Sequence, residues 1–291
     1  MLSLVLPKGS LESATLELFA AADLSVRRGS DRDYHASIDD PRVDRVRFLR
    51  PQEIPIYVEQ GLFDLGICGR DWVHETGSDV VSLGELQYSR ATSRPVQVVL
   101  AVPADHPATS AAELPVGVRV STEYPALTKA FFERAGVQAV IVPSAGATEA
   151  KVPDIVDAIV DITETGSSLR RAGLKVIDTL LTSYTELVAN KAAYNDPAKR
   201  AAMDDLALLL HSALRARGRV LLKLNVAAAD LDKVLEIIPS AGSPTLMKLA
   251  AGDQSAVEAV VPKSGINELI PALKAAGAFD ILELPIGKIV D

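Results

Sequence analysis

Between Asp157 and Leu169 the chain reads DAIVDITETGSSL, and its residue types and spacing suit a phosphate. Ala158 to Ile162 is an apolar run broken only by Asp161, long enough for a strand buried on both faces. Thr163, Thr165, Ser167 and Ser168 then gather hydroxyls around Gly166, and a segment able to form a helix starts at Ser167. Gly166 has no Cβ, so the backbone can turn sharply and approach a ligand. The N–H groups of residues 165–168 would point outward at a helix start, where the dipole favours an anion. Asp161, at the strand's end, is suited to accept hydrogen bonds from a sugar's hydroxyls. A strand-to-helix turn capped by Thr or Ser accounts for the same residues equally well.

Two further strand ends carry charge. Pro7-Lys8-Gly9-Ser10 follows the apolar run Leu2–Leu6 and precedes a helix over Leu11–Ala22, with Ser10 as its cap. That puts Lys8 at a strand's carboxyl end, where open α/β sheets bind ligands, or simply in an exposed turn. Phe63–Cys68 closes on Gly69-Arg70-Asp71 before a helix near Trp72, with Asp71 either capping that helix or orienting a ligand.

Other chemistries are poorly supplied. The formal charge is −8 with no basic stripe, which argues against general nucleic-acid binding. Cys68 is the single cysteine, so neither an intramolecular disulfide nor a multi-thiolate metal site fits. The four histidines, at 35, 74, 106 and 211, lack zinc spacing. No basic leader and no run near ~18 apolar residues is visible, so no membrane segment and a cytoplasmic location are expected.

The elements that must position these residues alternate. Hydrophobic residues make up 48% and aromatics only 4%, as in aliphatic sheets covered by helices. Strands are expected at Val43–Arg50, Pro95–Val102, Gly117–Ser121, Ala139–Val142 and Leu174–Leu181, with helices at Ala126–Ala135 and Pro197–Arg217. Residues 29–42 read as a charged loop, either a flap or solvated surface. Beyond residue 218 the order becomes βαββαβ: Val220–Val226, Asp230–Ile238, Leu246–Ala250, Ala256–Val261, Gly265–Ala276 and Phe279–Pro285. This is the ferredoxin-like split pattern. The chain therefore reads as α/β, two lobes followed by a small α+β domain, with a lobe boundary near residues 91–94.

Assembled, the pieces resemble the long-form ATP phosphoribosyltransferases, the first enzymes of histidine biosynthesis. The resemblance rests on LPKGSLE at 6–12, GSDRDYHA at 29–36 and LRPQEIPIYVEQGLFDLGICGRDWV at 49–73. It continues through GATEAKVPDIVDAIVDITETGSSL at 146–169 and PSAGSPTL at 239–246. It implies a periplasmic-binding-protein-like catalytic part: lobe I over 1–92 and 188–217, lobe II over 93–187. A regulatory ferredoxin-like domain over 218–291 and a homo-oligomer, a hexamer built from dimers, are implied with it.

Carried over by position, Thr165, Gly166, Ser167 and Ser168 hold the 5′-phosphate of phosphoribosyl diphosphate, with Thr163 a further substrate-binding residue. Asp161 and Glu149 meet its ribose. Lys8 and Arg50 face the triphosphate of ATP or the diphosphate, and Gly9, Gly69 and Asp71 line the same cleft. Mg²⁺ is the implied cofactor, and histidine is the implied inhibitor at Asn225, Ser243 and Thr245. Cys68 replaces a hydroxyl residue of the family pattern, and Ser167-Ser168 replaces a bulkier pair ending in threonine. A two-lobed solute-binding or sensor protein, and a phosphoribosyltransferase for another base, are the competing readings.

Overall fold

The computed structural model describes residues 1–88, 95–239, 242–250 and 252–290. The lobe boundary expected near 91–94, and positions 240 and 241 of the PSAGSPTL motif, lie outside the described residues. Two compact units, Met1–Ala207 and Leu208–Asp291, divide the chain within one long helix.

In the first unit a seven-stranded sheet is built from β1 (Leu2–Pro7), β2 (Val26–Arg27), β3 (His35–Ile38), β4 (Val43–Leu49), β5 (Leu65–Gly69), β6 (Val81–Leu86) and β12 (Thr185–Ala189). Helices α1 (Glu12–Ala21), α2 (Ile54–Glu59) and α3 (Arg70–Thr76) connect its early strands. Its order is β2-β3-β4-β1-β5-β12-β6. β1 runs parallel to both β4 and β5, while β12 is antiparallel to β5 and β6. The central strands β5 and β12 are buried throughout, as a sheet covered on both faces requires.

A five-stranded sheet follows, ordered β11-β7-β10-β8-β9. Its strands are β7 (Val96–Pro103), β8 (Val118–Thr122), β9 (Ala139–Pro143), β10 (Ala158–Thr163) and β11 (Leu174–Ser183). Helices α4 (Pro125–Ala135) and α5 (Ser167–Arg171) belong to this half. Its hydrophobic core includes Val98, Leu100, Val102, Val120, Phe132 and Val160 on one side. Val99, Ala101, Ile159, Leu169 and Leu174 form the core on the other. Burying each of these larger side chains contributes roughly 1.5–3 kcal/mol before conformational entropy is counted. The chain then returns through Tyr184 into β12 of the first sheet and continues into α6 (Lys191–Asn195) and α7 (Pro197–Ala216). Lys199 and Asp205 of α7 pair with Asp64 and Arg42, fastening its start to the first half.

In the second unit, β13 (Arg219–Ala227), α8 (Leu231–Ile237), β14 (Thr245–Lys248), β15 (Gln254–Pro262), α9 (Ile266–Ala275) and β16 (Phe279–Pro285) realise the βαββαβ order. The sheet order β14-β15-β13-β16, antiparallel at every pairing, is the ferredoxin-like arrangement. The alternating buried positions of β13 are Val220, Leu222, Leu224 and Val226, which pack with Val234, Ile266 and Leu273 of the helices.

Several local readings change. The residue before α1 is Leu11, and no side chain caps that helix, so Ser10 does not play that part. The charged stretch 29–42 is partly strand, because β3 pairs antiparallel with β4. The expected strand Leu246–Ala250 occupies Thr245–Lys248 instead. β6 and β12 have no counterpart in the sequence reading.

Candidate functional site

Burial in β10 is complete from Ala158 to Val160 and ends at Asp161, where the strand emerges at the edge of a cleft of about 660 Å³. β10 lies between β7 and β8, so Asp161 stands where the parallel pair β8–β10 ends. Its Oδ1 accepts the N–H of Ile162 at 2.7 Å. Burial, followed by the negative charges of Glu149 and Glu123, raises its carboxyl to about 6, against the opposing pull of that N–H. Such a carboxylate gains from any ligand that donates hydrogen bonds to it.

The loop after Asp161 is held by its own hydroxyls. Gly166 has φ +70° and donates its N–H to Thr163 Oγ1 at 2.8 Å. Thr165 donates its hydroxyl to Ser167 Oγ at 3.0 Å and accepts the Ser167 N–H at 3.4 Å. Two of the N–H groups read as pointing outward are therefore engaged within the loop. Thr163, Thr165, Ser167 and Ser168 line the cleft, whereas Gly166 does not, and Arg170 is close to where a Cβ at Gly166 would stand.

The facing wall comes from the first sheet. Lys8 leaves β1 with its N–H bound to the Leu49 carbonyl at 2.7 Å, which places it beside Arg50 at the end of β4. Its ammonium donates to the Asp31 carbonyl at 2.7 Å and lies 5.1 Å from the Tyr34 ring centre. The 29–36 loop thus reaches Lys8. Lys8, Gly9, Arg50, Gly69 and Asp71 all line the cleft.

Asp71 is 4% exposed and sits inside α3, one residue past its first. It does not cap the helix: Gly69 is the N-cap residue and no side chain bonds there. Asp71 Oδ1 accepts the Ser183 hydroxyl at 2.6 Å, Oδ2 accepts the Tyr124 hydroxyl at 2.7 Å, and the Asp71 N–H donates to Ser183 Oγ at 3.0 Å. Burial and the Asp71 charge push the Tyr124 phenol far above its ordinary value, so it stays a hydrogen-bond donor. Gly69 makes room for this arrangement, since a Cβ there would fall 2.0 Å from Asp71 Oδ1.

Glu149 is not among the residues lining the cleft; it sits in the one-turn 3₁₀ segment Thr148–Lys151 and reaches the site through its charge. Glu123, Tyr124, Trp72 and Arg171 line the cleft without having been singled out in the sequence. The run Glu123-Tyr124-Pro125, next to a strand end, was the available signal for the first two. Cys68 is fully buried, and burial pushes its thiol well up, so it is packing rather than chemistry.

In the second unit, Asn225 donates to Asp280 Oδ2 at 3.1 Å. Residues directly opposite in an antiparallel pair share a face. Asn225 and Met247 both stand opposite Ala256, and Lys223 and Thr245 both stand opposite Glu258. Asn225 and Thr245 therefore share the sheet face turned away from the helix-packed residues, with Ser243 exposed just before β14. Among the described residues no group of three or more His, Cys, Asp or Glu side chains is arranged to hold a metal ion. No helix among them is long and apolar enough to cross a membrane.

Two α/β sheets joined by two chain crossings, with a cleft at their strand ends, make this a periplasmic-binding-protein-like fold carrying a ferredoxin-like domain. The family model for ATP phosphoribosyltransferase matches residues 50–212, and that for the HisG C-terminal domain matches residues 216–288. The ATP phosphoribosyltransferase of Pelotomaculum thermopropionicum is 47% identical over 99% of this chain and 99% of its own length. That of Pelodictyon phaeoclathratiforme is 45% identical over 100% of this chain and 98% of its own. Among solved structures, the ATP phosphoribosyl transferase (HisG:HisZ) complex from Thermotoga maritima aligns with a TM-score of 0.62 at 26% identity, covering 72% of this chain and 97% of that one. The chain belongs to the ATP phosphoribosyltransferase family and is an enzyme of the glycosyltransferase type.

Proposed function

We propose that this chain catalyses the first step of histidine biosynthesis, joining N1 of the adenine of ATP to C1 of phosphoribosyl diphosphate. The N1–C1 bond forms as the C1–O bond breaks, diphosphate leaves with the bonding electrons, and C1 inverts. The observation that carries the reading is the pairing of walls: Lys8 and Arg50 on one side of the cleft, Asp161 and the Thr163–Ser168 hydroxyls on the other. In this reading Thr165, Ser167 and Ser168 hold the 5′-phosphate, and Asp161 accepts from the ribose hydroxyls while Glu149 adds charge behind it. Lys8 and Arg50 stabilise the phosphates of ATP and the leaving diphosphate.

No nucleophilic side chain is needed. C1 acquires oxocarbenium character as the leaving group departs, and the protein's part is to align two anionic substrates and stabilise developing charge. Mg²⁺ belongs to this reading as the counter-ion that diphosphate carries in with it.

The second unit we assign to feedback: histidine held near Asn225, Ser243 and Thr245 favours a low-activity state of a hexamer built from dimers, in the cytoplasm. The catalytic lobes of this reading span 1–92 with 188–217, and 93–187; the regulatory domain spans 218–291. The test mixes the protein with ATP, phosphoribosyl diphosphate and Mg²⁺ and follows diphosphate release. The expected result is release that needs both substrates, is suppressed by histidine, and falls about 10²–10³-fold in Asp161→Asn, the scale of losing one preorganised electrostatic contact. Reaction with a free base but not with ATP, or binding without release, contradicts it.

A further inference from the structure

Helix α3 turns Asp71, Trp72 and Glu75 toward the corner that leads from β8 into α4. The Trp72 and Tyr124 rings stack with centroids 4.5 Å apart and planes 28° from parallel. Glu75 Oε1 accepts the Ala126 N–H and Oε2 accepts the Leu127 N–H, both at 2.9 Å. These are first-turn amides of α4, which have no partner within their own helix. Tyr124, the N-cap residue of α4, makes no side-chain capping bond. The cap of α4 is thus supplied from a helix of the other half of the unit.

Glu75 does not line the cleft, but Glu123 and Tyr124, at the corner it holds, do. From this geometry we infer that Glu75 is a positioning residue for phosphoribosyl transfer. It fixes the Glu123–Tyr124 corner, which lines the cleft together with Lys8, and thereby the width of the cleft. The inference rests on the cleft being the reaction site. A carboxylate is suited to the task because its two oxygens take two adjacent amides at once, next to the positive end of α4.

Trp72 is the chain's single tryptophan, so its emission reports this corner without a label. The experiment compares wild type, Glu75→Ala and Glu75→Gln for kcat and KM, thermal unfolding, and Trp72 emission of the free protein. In Glu75→Ala, KM for phosphoribosyl diphosphate should rise about tenfold, the equivalent of 1.4 kcal/mol. Its kcat should stay within about twofold, and Trp72 emission should shift. Glu75→Gln, which keeps one accepting oxygen, should recover most of the KM. A lowered unfolding midpoint with wild-type KM and emission would make Glu75 a helix cap only and overturn the inference. Should Glu75→Ala fail to fold, Glu75→Asp, too short to reach both amides, replaces it with the same expectations. If wild type itself does not turn over ATP and phosphoribosyl diphosphate, the functional reading fails. The Glu75 inference fails with it, whereas normal wild-type turnover with an unchanged KM in Glu75→Ala overturns the inference alone.

Discussion

The cleft holds two aspartates in opposite circumstances. At the α3 corner, both carboxylate oxygens of buried Asp71 are taken by hydroxyl donors, from Tyr124 and Ser183. At the end of β10, Asp161 accepts one N–H from its own neighbour and faces the charges of Glu149 and Glu123. The first is a finished structural joint. The second is held at an electrostatic cost that a ligand donating hydroxyl hydrogen bonds to it relieves. Lining the same cleft does not give the two the same work, and hydrogen-bond accounting separates them where residue type does not.

The largest disturbance of the finished joint should come from Gly69→Ala. The new methyl would lie 2.0 Å from Asp71 Oδ1 and 3.5 Å from Ser183 Oγ. Relieving that overlap means moving Asp71 off its donors, at a cost of about 1–3 kcal/mol. Thermal unfolding should show the loss as a midpoint several degrees lower; an unchanged midpoint would mean the joint is slack.

A smaller effect of opposite sign is expected at Asp161. Its folded pKa of about 6 lies above the ordinary 3.8. The favourable state is therefore fully present below about pH 4 and is lost as pH rises through 6. Asp161→Asn, which cannot ionise, should match wild type near pH 4 and become more stable above pH 6. Discounted for solvent screening, the gain is on the order of 1 kcal/mol at pH 8. Midpoints measured across that range check the sign. A variant less stable than wild type at pH 8 would place Asp161 with Asp71 among the structural carboxylates.

How legible these regions were follows from the range of their contacts. The β10 loop is local: an apolar run, a glycine that needs φ +70° and a cluster of hydroxyls all lie within a dozen residues, so the sequence displayed it. Asp71 beside Gly69 looks like a cap at the same scale. Its partners, Tyr124 and Ser183, are 53 and 112 residues away, and no local pattern encodes such a pairing. Glu75 escaped notice for the same reason, since the amides it holds are 51 and 52 residues on. β12 was missed because it inserts antiparallel between β5 and β6 after the excursion through the second sheet, and its fully buried TELVA has no alternation to mark it.

The contrast between the two aspartates is tested most directly by calorimetric titration of Mg²⁺ and phosphoribosyl diphosphate into wild type and Asp161→Asn at pH 8. Asp161→Asn is expected to raise Kd about 10–100-fold, the cost of one charge-assisted contact of ~1.5–3 kcal/mol, while its fold is at least as stable. Wild-type affinity in Asp161→Asn would contradict the ligand-anchoring role of this carboxylate.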